Sequence, residues 1–425
     1  MSITEKTSMV WDLIVVGGGL TGVAAAVSAR RMGMEKVLVI EKAGFLGGAP
    51  GTCLINPFMP YYTTVDSQRV DLSQGFFSEL RQLLADLGGY EPGPETIHEE
   101  YLKIALDRLT RREGVQALFH AMLCGVEKEG ETLAAVQAAT KAGVLTFRAR
   151  YFIDCTGDAD LAVLAGCPYH LGRPDGLCQP MTLCFRIGNV DIPVYLRNRA
   201  LMQQKYKEAQ AAGRIKNPRE NVLIFGTLVD GMLHFNTTRI VKHDPTDPFD
   251  VTEAEMLARE QMLEMYDFLR TEVPGFEHSQ LLYSAGEIGA RESRMIDGEY
   301  TLTQEDLVNC VKFEDAIAAG NYDIDIHNPE GSGTSHYYFP AGTWYTIPYR
   351  CLQPRNAENL LVAGRCISST HEAQASYRIM PIVTTLGQAA GTAAAIAARQ
   401  NIGVKRIDTA ELQRALKAHG AFIGV

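Results

Sequence analysis

Four apolar residues in a row, Leu13-Ile14-Val15-Val16, stop at Gly17. A short continuous run of this kind predicts a strand covered on both faces, as in a parallel sheet. Residues 20–32 then read as a helix, with Arg30 and Arg31 in the last turn and Gly33 as the stop. Val37-Leu38-Val39-Ile40 is a second buried strand. Strand, helix and strand make a βαβ unit, whose crossover is expected to be right-handed.

Further along, 73–87 place Phe76, Phe77, Leu80, Leu83, Leu84 and Leu87 at helical spacing, and 97–112 repeat the pattern with Leu102, Ala105, Leu106 and Leu109. Three strand-like runs near 115–126, 132–139 and 144–153, with turn signals at Gly130 and Gly143, predict a β-meander. Residues 190–275 are richer in Met, Gln and charge. Asp244-Pro245 and Asp247-Pro248 read as breaks, and Thr252 to Glu255 as a capping box opening a helix. Its apolar face would be Met256, Leu257, Met262, Leu263, Tyr266 and Leu269, ending at Pro274. Apolar-run chemistry returns at Leu360-Leu361-Val362-Ala363-Gly364, followed by a long Ala/Gly helix. The expected architecture is α/β. A Rossmann-like domain is built from 1–169 and 346–425, with an α+β substrate domain, 170–345, inserted into it.

The turn after the first strand is chemically specific. Gly17-Gly18-Gly19-Leu20-Thr21-Gly22 fits G-x-G-x-x-G. Its glycines allow a tight turn, close approach of backbone to a pyrophosphate, and close helix–strand packing. The phosphate would face the helix N-terminus, where unpaired N–H groups attract an anion. Glu41, at the end of the second strand, is placed to accept ribose hydroxyls. These features fit NAD and FAD alike. A second glycine pair, Gly47-Gly48, soon after Glu41-Lys42 favours FAD, with Thr52 just beyond it.

Composition narrows the class. The 425 residues are 46% hydrophobic and 21% charged, so the chain is an ordinary globular one of two or three domains. The net charge of -10 disfavours a protein that grips nucleic acid backbones. Nine cysteines with no C-x-x-C pair argue against a zinc ribbon or a redox dithiol, and no metal ligand set is expected. Scattered single cysteines fit a reducing cytoplasm. The first nine residues lack a signal-peptide core, and the Ala-rich stretch 387–398 is too short and too weakly apolar to span a bilayer. Glycines cluster at 17–22, 44–51, 157, 364 and 387–391, where backbone is expected to meet the cofactor.

Three blocks together resemble the FAD-dependent oxidoreductases of the glutathione-reductase-like superfamily, and within it the fumarate reductase/succinate dehydrogenase flavoprotein branch. They are the N-terminal block, the segment Ile153 to Leu161, and Asn359 to Ser368 continuing through His371, Ser376, Arg378, Met380 and Gly387 to Gly391. The stretch 287–325 also looks like this family. The resemblance implies FAD held by Gly17, Gly19, Leu20, Thr21, Gly22, Glu41, Lys42, Gly47, Gly48, Thr52, Thr156, Gly157, Asp158, Gly364, Arg365, Arg378 and Met380. Arg365 departs from the acid that many relatives carry after that glycine, and a phosphate or a nearby carboxylate would be its partner. A helix N-terminus near 378–381 is expected to face the flavin pyrimidine edge.

His371, Arg378 and Arg294 are the catalytic candidates. His371 would be the acid/base or a substrate ligand. Arg291 and Arg294, three apart, would share a face if their segment is helical, with surface ion pairing to Glu287 or Glu292 as the bland reading. In the segment with Tyr345, Tyr349 and Arg350, strand-like alternation favours core packing for most of them. His327 and His336 flank a Gly/Ser loop, read as a solvated loop or a lid. Cys53 reads as packing, with covalent flavin attachment the sharper alternative. The expectation is hydride transfer between flavin N5 and a small polar or anionic substrate. The electron partner would be oxygen, a quinone or a redox protein, and a homo-oligomer is compatible with all of this. A tRNA-modifying flavoprotein and a flavin-binding subunit of a larger redox complex are the rival readings. Neither nucleic acid binding nor a membrane span is expected.

Overall fold

The computed structural model describes residues 3–425. The first strand, β1 (Val10–Val16), leads through the glycine turn into α1 (Leu20–Arg31) and β2 (Val37–Ile40). Then come α2 (Phe76–Asp86), α3 (Glu99–Arg112), β3 (Gln116–Leu118), β4 (Met122–Glu129), β5 (Thr132–Thr140) and β6 (Gly143–Asp154). The middle region contributes β7 (Phe185–Gly188), β8 (Ile224–Gly226), β9 (Leu233–Phe235), α4 (Pro248–Glu272), β10 (Gln280–Ser284) and the hairpin of β11 (Ile324–His327) with β12 (Thr334–Tyr337). The chain returns through β13 (Leu360–Val362), α5 (His371–Tyr377) and α6 (Met380–Gln400).

β3, β2, β1, β6 and β13 lie side by side and all parallel, with β6 also carrying the antiparallel pair β5 and β4. The long β6 explains the mixture. Its first half alternates toward exposure and pairs with β5, while its last four residues are wholly buried between β1 and β13. Register puts Val16 beside both Ile40 and Asp154, and Asp154 beside Val362. Gly17, Glu41, Cys155 and Ala363 therefore leave the sheet at one edge. In an open α/β sheet that carboxyl edge is where ligands bind.

α1 and α6 pack face to face behind the sheet. Among the described residues α6 is the one helix long and apolar enough to cross a membrane, and 94% of its apolar window is buried inside the fold.

β8, β9, β7 and β10 form a separate antiparallel sheet. Phe185, Ile187, Leu233 and Phe235 face Met265, Phe268 and Leu269 of α4 in a core of their own. Residues further on, Ile317, Ala318, Ile324 and Tyr345, instead join the core shared by α1 and α6.

Helix α4 corrects the sequence reading. Asp247-Pro248 is its start, not a break. The Asp247 side chain caps the N–H groups of Phe249 and Asp250, and Pro248 opens the first turn. Thr252 lies inside the helix and turns its hydroxyl back to the Pro248 carbonyl. The buried face is Ala254, Ala258, Met265, Phe268 and Leu269, whereas Met256, Leu257 and Leu263 are exposed. Small alanines face the neighbouring segments there, so the larger apolar residues misled the pattern.

Candidate functional site

Gly17 sits at φ +96°, and a β-carbon on it would stand 2.3 Å from the Cys155 carbonyl oxygen. Gly22 is tighter, 1.9 Å from the Gly17 carbonyl oxygen. Both are therefore fixed by the turn itself. Gly19 meets nothing nearer than 3.8 Å, and Gly364, at φ +122°, nothing nearer than 4.0 Å. These open backbone faces form the kind of cradle a dinucleotide needs. α1 has no side-chain cap at Gly19, so its first-turn N–H groups are free for a pyrophosphate. Leu20 and Thr21 open that helix and are buried. Gly47 donates to the Gly18 carbonyl at 2.9 Å, tying the second glycine pair to the first.

Glu41 is buried. It accepts from the Gly18 N–H at 2.6 Å and from the Ala43 N–H at 2.7 Å. Those bonds aim a carboxylate at the end of β2, as ribose binding requires. Lys42 pairs with Glu287 at 3.0 Å on the surface, and the Thr52 carbonyl accepts from the Glu287 N–H at 3.1 Å. The N-terminal loop is thus joined to the middle region at two points.

At the end of β6, Asp154 is fully buried, and burial pushes its carboxyl up to about 6. It accepts from the Thr156 N–H and hydroxyl and from the Ala162 N–H, which shapes the Thr156-Gly157-Asp158 turn. Asp158 answers the question left at Arg365: the two pair at 2.6 Å. Burial pushes the Asp158 carboxyl up, but Arg365 and the Ser293 hydroxyl outweigh it and hold it below its usual range.

Arg291 and Arg294 do not share a helix face. The chain is irregular at Arg291, and Arg294 begins a strand, Arg294–Ile296. Arg294 donates to the Asp158 carbonyl at 2.7 Å and pairs with Asp160. The structure therefore gives it partners in the β6 turn, whereas His371 and Arg378 have partners elsewhere. Its guanidinium clamps the middle region to the nucleotide turn.

His371 is the first residue of α5, whose N-terminus is capped by Thr370. The buried imidazole turns Nδ1 to both oxygens of Glu292, at 2.7 and 2.9 Å. Glu292 itself is completely buried and also accepts from the Gln179 N–H at 2.9 Å. Arg378 closes α5 rather than opening the next helix. α6 begins at Met380 with Pro381 in its first turn and no side-chain cap at Ile379, so its N-terminal N–H groups are free.

Arg378 donates to the Asp325 carbonyl at 3.2 Å and to Gln179 Oε1 at 3.4 Å. Around it lies a set of charges that the sequence reading largely missed. Arg239 bonds His327 Nδ1 at 3.0 Å and pairs with Glu220 at 3.3 Å. Arg291 donates to the Pro180 carbonyl and the Thr182 hydroxyl, both at 2.6 Å. Burial, then repulsion by Arg219, Arg378 and Arg239, pushes Arg291 down to about 9. Burial also lowers Arg219, whose Nη1 is buried without a hydrogen-bond partner. Burial followed by Arg291 takes His327 down to about 3, so its ring is neutral. Burial works against ionisation of Glu220 and Asp325, yet their hydrogen bonds and the arginines hold Glu220 at about 2 and Asp325 lower still. Four guanidiniums thus share this region with Glu220, Asp325 and the buried Glu292.

His327 corrects the solvated-loop reading, since it is buried in this cluster. The loop between β11 and β12 is held by Arg239, which donates to the Gly331 and Gly333 carbonyls at 3.1 and 2.9 Å. His336, on the exposed side, pairs with Asp323. Beneath the hairpin opens a pocket of about 490 Å³ lined by Arg173, Ile326, Asn328, Thr334, His371 and Glu372. Arg219 and Arg239 carried no motif and lie far from the recognised blocks, so only folding brings them in. Tyr345 and Tyr349 are core residues, bonding Ser376 and the Val404 carbonyl. Cys53 is buried beside Thr52, and burial pushes its thiol up, which keeps it a neutral packing group.

No curated protein matches the sequence. Among solved structures it is similar to the p-nitrophenol 4-monooxygenase PnpA from Pseudomonas putida DLL-E4, with 10% identity over 97% of this chain and 84% of that one, TM-score 0.48. The flavin-dependent brominase Bmp2 shares 13% identity over 96% and 84% of the two chains, TM-score 0.46. A geranylgeranyl bacteriochlorophyll reductase-like protein from Thermoplasma acidophilum shares 13% identity over 97% and 84%, TM-score 0.44. The profile of FAD dependent oxidoreductases matches residues 12–416, nearly the whole length, and the chain belongs to that family.

Proposed function

We propose that this FAD-dependent oxidoreductase moves a hydride between flavin N5 and a small organic anion, which it seats on the arginine cluster and deprotonates or protonates through His371. The observation that carries the reading is the charge imbalance. Arg219, Arg239, Arg291 and Arg378 still outnumber the carboxylates Glu220, Asp325 and the buried Glu292 that follows Arg291, and His327 adds a neutral ring. Buried like charges are costly unless a counter-ion joins them. A substrate carboxylate is the simplest one, and a planar guanidinium can bind it in two-point fashion.

Bound FAD would supply the two-electron centre. Gly17 to Gly22 and Glu41 would hold its pyrophosphate and ribose, and Gly364 would let backbone approach its ribityl chain. The free N–H groups of α6 would stabilise negative charge on the flavin's pyrimidine edge. Arg378 and Arg291 orient the anion, His371 moves a proton, and the hairpin of β11 and β12 keeps water from the seat.

The test is a titration of the purified holoenzyme with acetate and malonate, and with acetamide and malonamide as uncharged controls. The carboxylates should perturb the visible flavin band or block its anaerobic bleaching by substrates, and Arg378→Ala should weaken both. A flavin band that responds equally to the amides would sink the anion reading. In a bleaching screen, His371→Ala should retain FAD and slow flavin reduction by roughly 10²–10⁴-fold.

A further inference from the structure

We infer that Glu292 is the positioning residue of the site: it fixes His371 as the Nδ1–H tautomer and makes Nε2 the atom that accepts the substrate proton. The inference rests on the acid/base reading of His371 above. An ionised carboxylate has only acceptors. With both Glu292 oxygens on Nδ1, at 2.7 and 2.9 Å, the neutral ring must carry its proton there. Nε2, across the ring, is left as a lone pair. His371 also lines the pocket beneath the hairpin, together with Arg173 and Glu372.

The carboxylate cannot drift. Glu292 is fully buried, the Gln179 N–H donates to it at 2.9 Å, and Gln374 binds the neighbouring Arg291 carbonyl at 2.8 Å. Around the pair, Cys178 and Tyr377 are close enough to feel the Glu292 charge, Arg173 and Glu372 lie across the pocket, and Arg291 precedes Glu292 while Arg378 reaches its partner Gln179. None of these has a recorded hydrogen bond to the imidazole. Glu292 therefore sets the tautomer alone.

A ring poised as acceptor has a direction. In oxidation, the substrate would give a hydride to FAD and a proton to His371 Nε2, losing two electrons in all. The imidazolium formed would rest against the Glu292 carboxylate. The Nδ1–H tautomer thus suits substrate oxidation, and reduction would draw its proton from the same Nε2.

The tautomer can be read without any substrate. Nitrogen-15-labelled histidine in the FAD-loaded protein, observed by long-range proton–nitrogen correlation, gives ten side-chain patterns at most. His371→Gln identifies the one that belongs to His371. The expected pattern is a neutral Nδ1–H ring, and Glu292→Gln should shift the tautomer ratio about tenfold toward Nε2–H, because an amide can donate to Nδ1. Glu292→Asp should restore the original tautomer at least in part. An Nε2–H ring in the unmutated protein, or no change in Glu292→Gln, would overturn the proposal. In turnover, Glu292→Gln should cost roughly 10²-fold in kcat, and Glu292→Asp should recover part of it. His371→Gln with undiminished turnover would instead remove the acid/base reading and leave the tautomer result standing.

Discussion

Gly387 of α6 lies so close to Thr21 of α1 that a β-carbon would stand 2.1 Å from the Thr21 carbonyl oxygen. One turn on, Gly391 is as close to Ala25, at 1.9 Å. The two glycines are four apart, as are their partners, so one row of each helix interlocks. These glycines were expected to meet the cofactor. Their Cβ positions instead meet α1, and they act on the nucleotide turn by setting where α1 begins.

Gly387→Ala should therefore destabilise the protein by about 3 kcal/mol or more, because the obstacle is backbone that cannot rotate away. The check is the urea midpoint of holoenzyme and variant, together with FAD retained through gel filtration. A variant of unchanged midpoint would show that the helices slide freely. Lower stability with full FAD retention would show that α1 keeps its place regardless.

Much of the nucleotide half was legible. Apolar runs such as Val37 to Ile40 are strands because both faces are covered, and the glycine turn is specific in residue type and spacing. The middle region was harder to read. Arg219 and Arg239 gain meaning only when the segment before β8, the segment after β9 and the β11–β12 hairpin converge, and no local pattern encodes that meeting. Arg294 is the reverse case. It stood in a recognisable block, yet its guanidinium serves Asp158 and Asp160. Proximity in sequence to Arg291 said nothing about direction, because the chain changes from irregular to extended between them.

The Asp158–Arg365 pair joins the turn after β6 to the turn after β13. Both side chains keep about a quarter of their surface, 30% and 24%, so solvent screens the pair and its worth is modest. A double-mutant cycle of Asp158→Asn and Arg365→Met should give a coupling of about 1 kcal/mol in urea unfolding. Arg365→Met alone should also speed FAD loss on dilution, since Gly157 packs directly on the guanidinium. Zero coupling would mean that the two turns are held by backbone contacts alone.

Asp154 predicts a pH dependence of stability. Its carboxyl is raised to about 6 from an ordinary 3.8 by complete burial. The folded state therefore holds a proton that the unfolded chain has already released between these values. The resulting stability is fully present below about pH 4 and is lost as pH rises through about 6, an effect of about 3 kcal/mol. Asp154→Asn cannot titrate. The stability difference between wild type and Asp154→Asn should shift against the wild type by about that amount from pH 4 to pH 7, measured by urea unfolding. A difference that stays flat across this range would mean that the carboxylate is ionised throughout.

Arg219 separates stability from function. Its guanidinium is buried, attracted by Glu220 and Asp325 but repelled by Arg239 and Arg291, and it leaves Nη1 unpartnered. Its one recorded side-chain bond, to Asn221, is long at 3.5 Å. Replacing such a charge by an apolar group of similar shape removes a desolvation cost and little hydrogen bonding, and Glu220 and Asp325 keep Arg239 and Arg378 as their counter-charges. Arg219→Met should thus raise the melting temperature of the anion-free holoenzyme. The same change should weaken acetate or malonate binding, read from the flavin band, by about tenfold or more, or about 1.4 kcal/mol. Bound anion should narrow the gap in melting temperature, because it stabilises the wild type more than the variant. If Arg219→Met melts lower and binds as before, the arginine is a structural strut, and the seat consists of Arg239, Arg291 and Arg378.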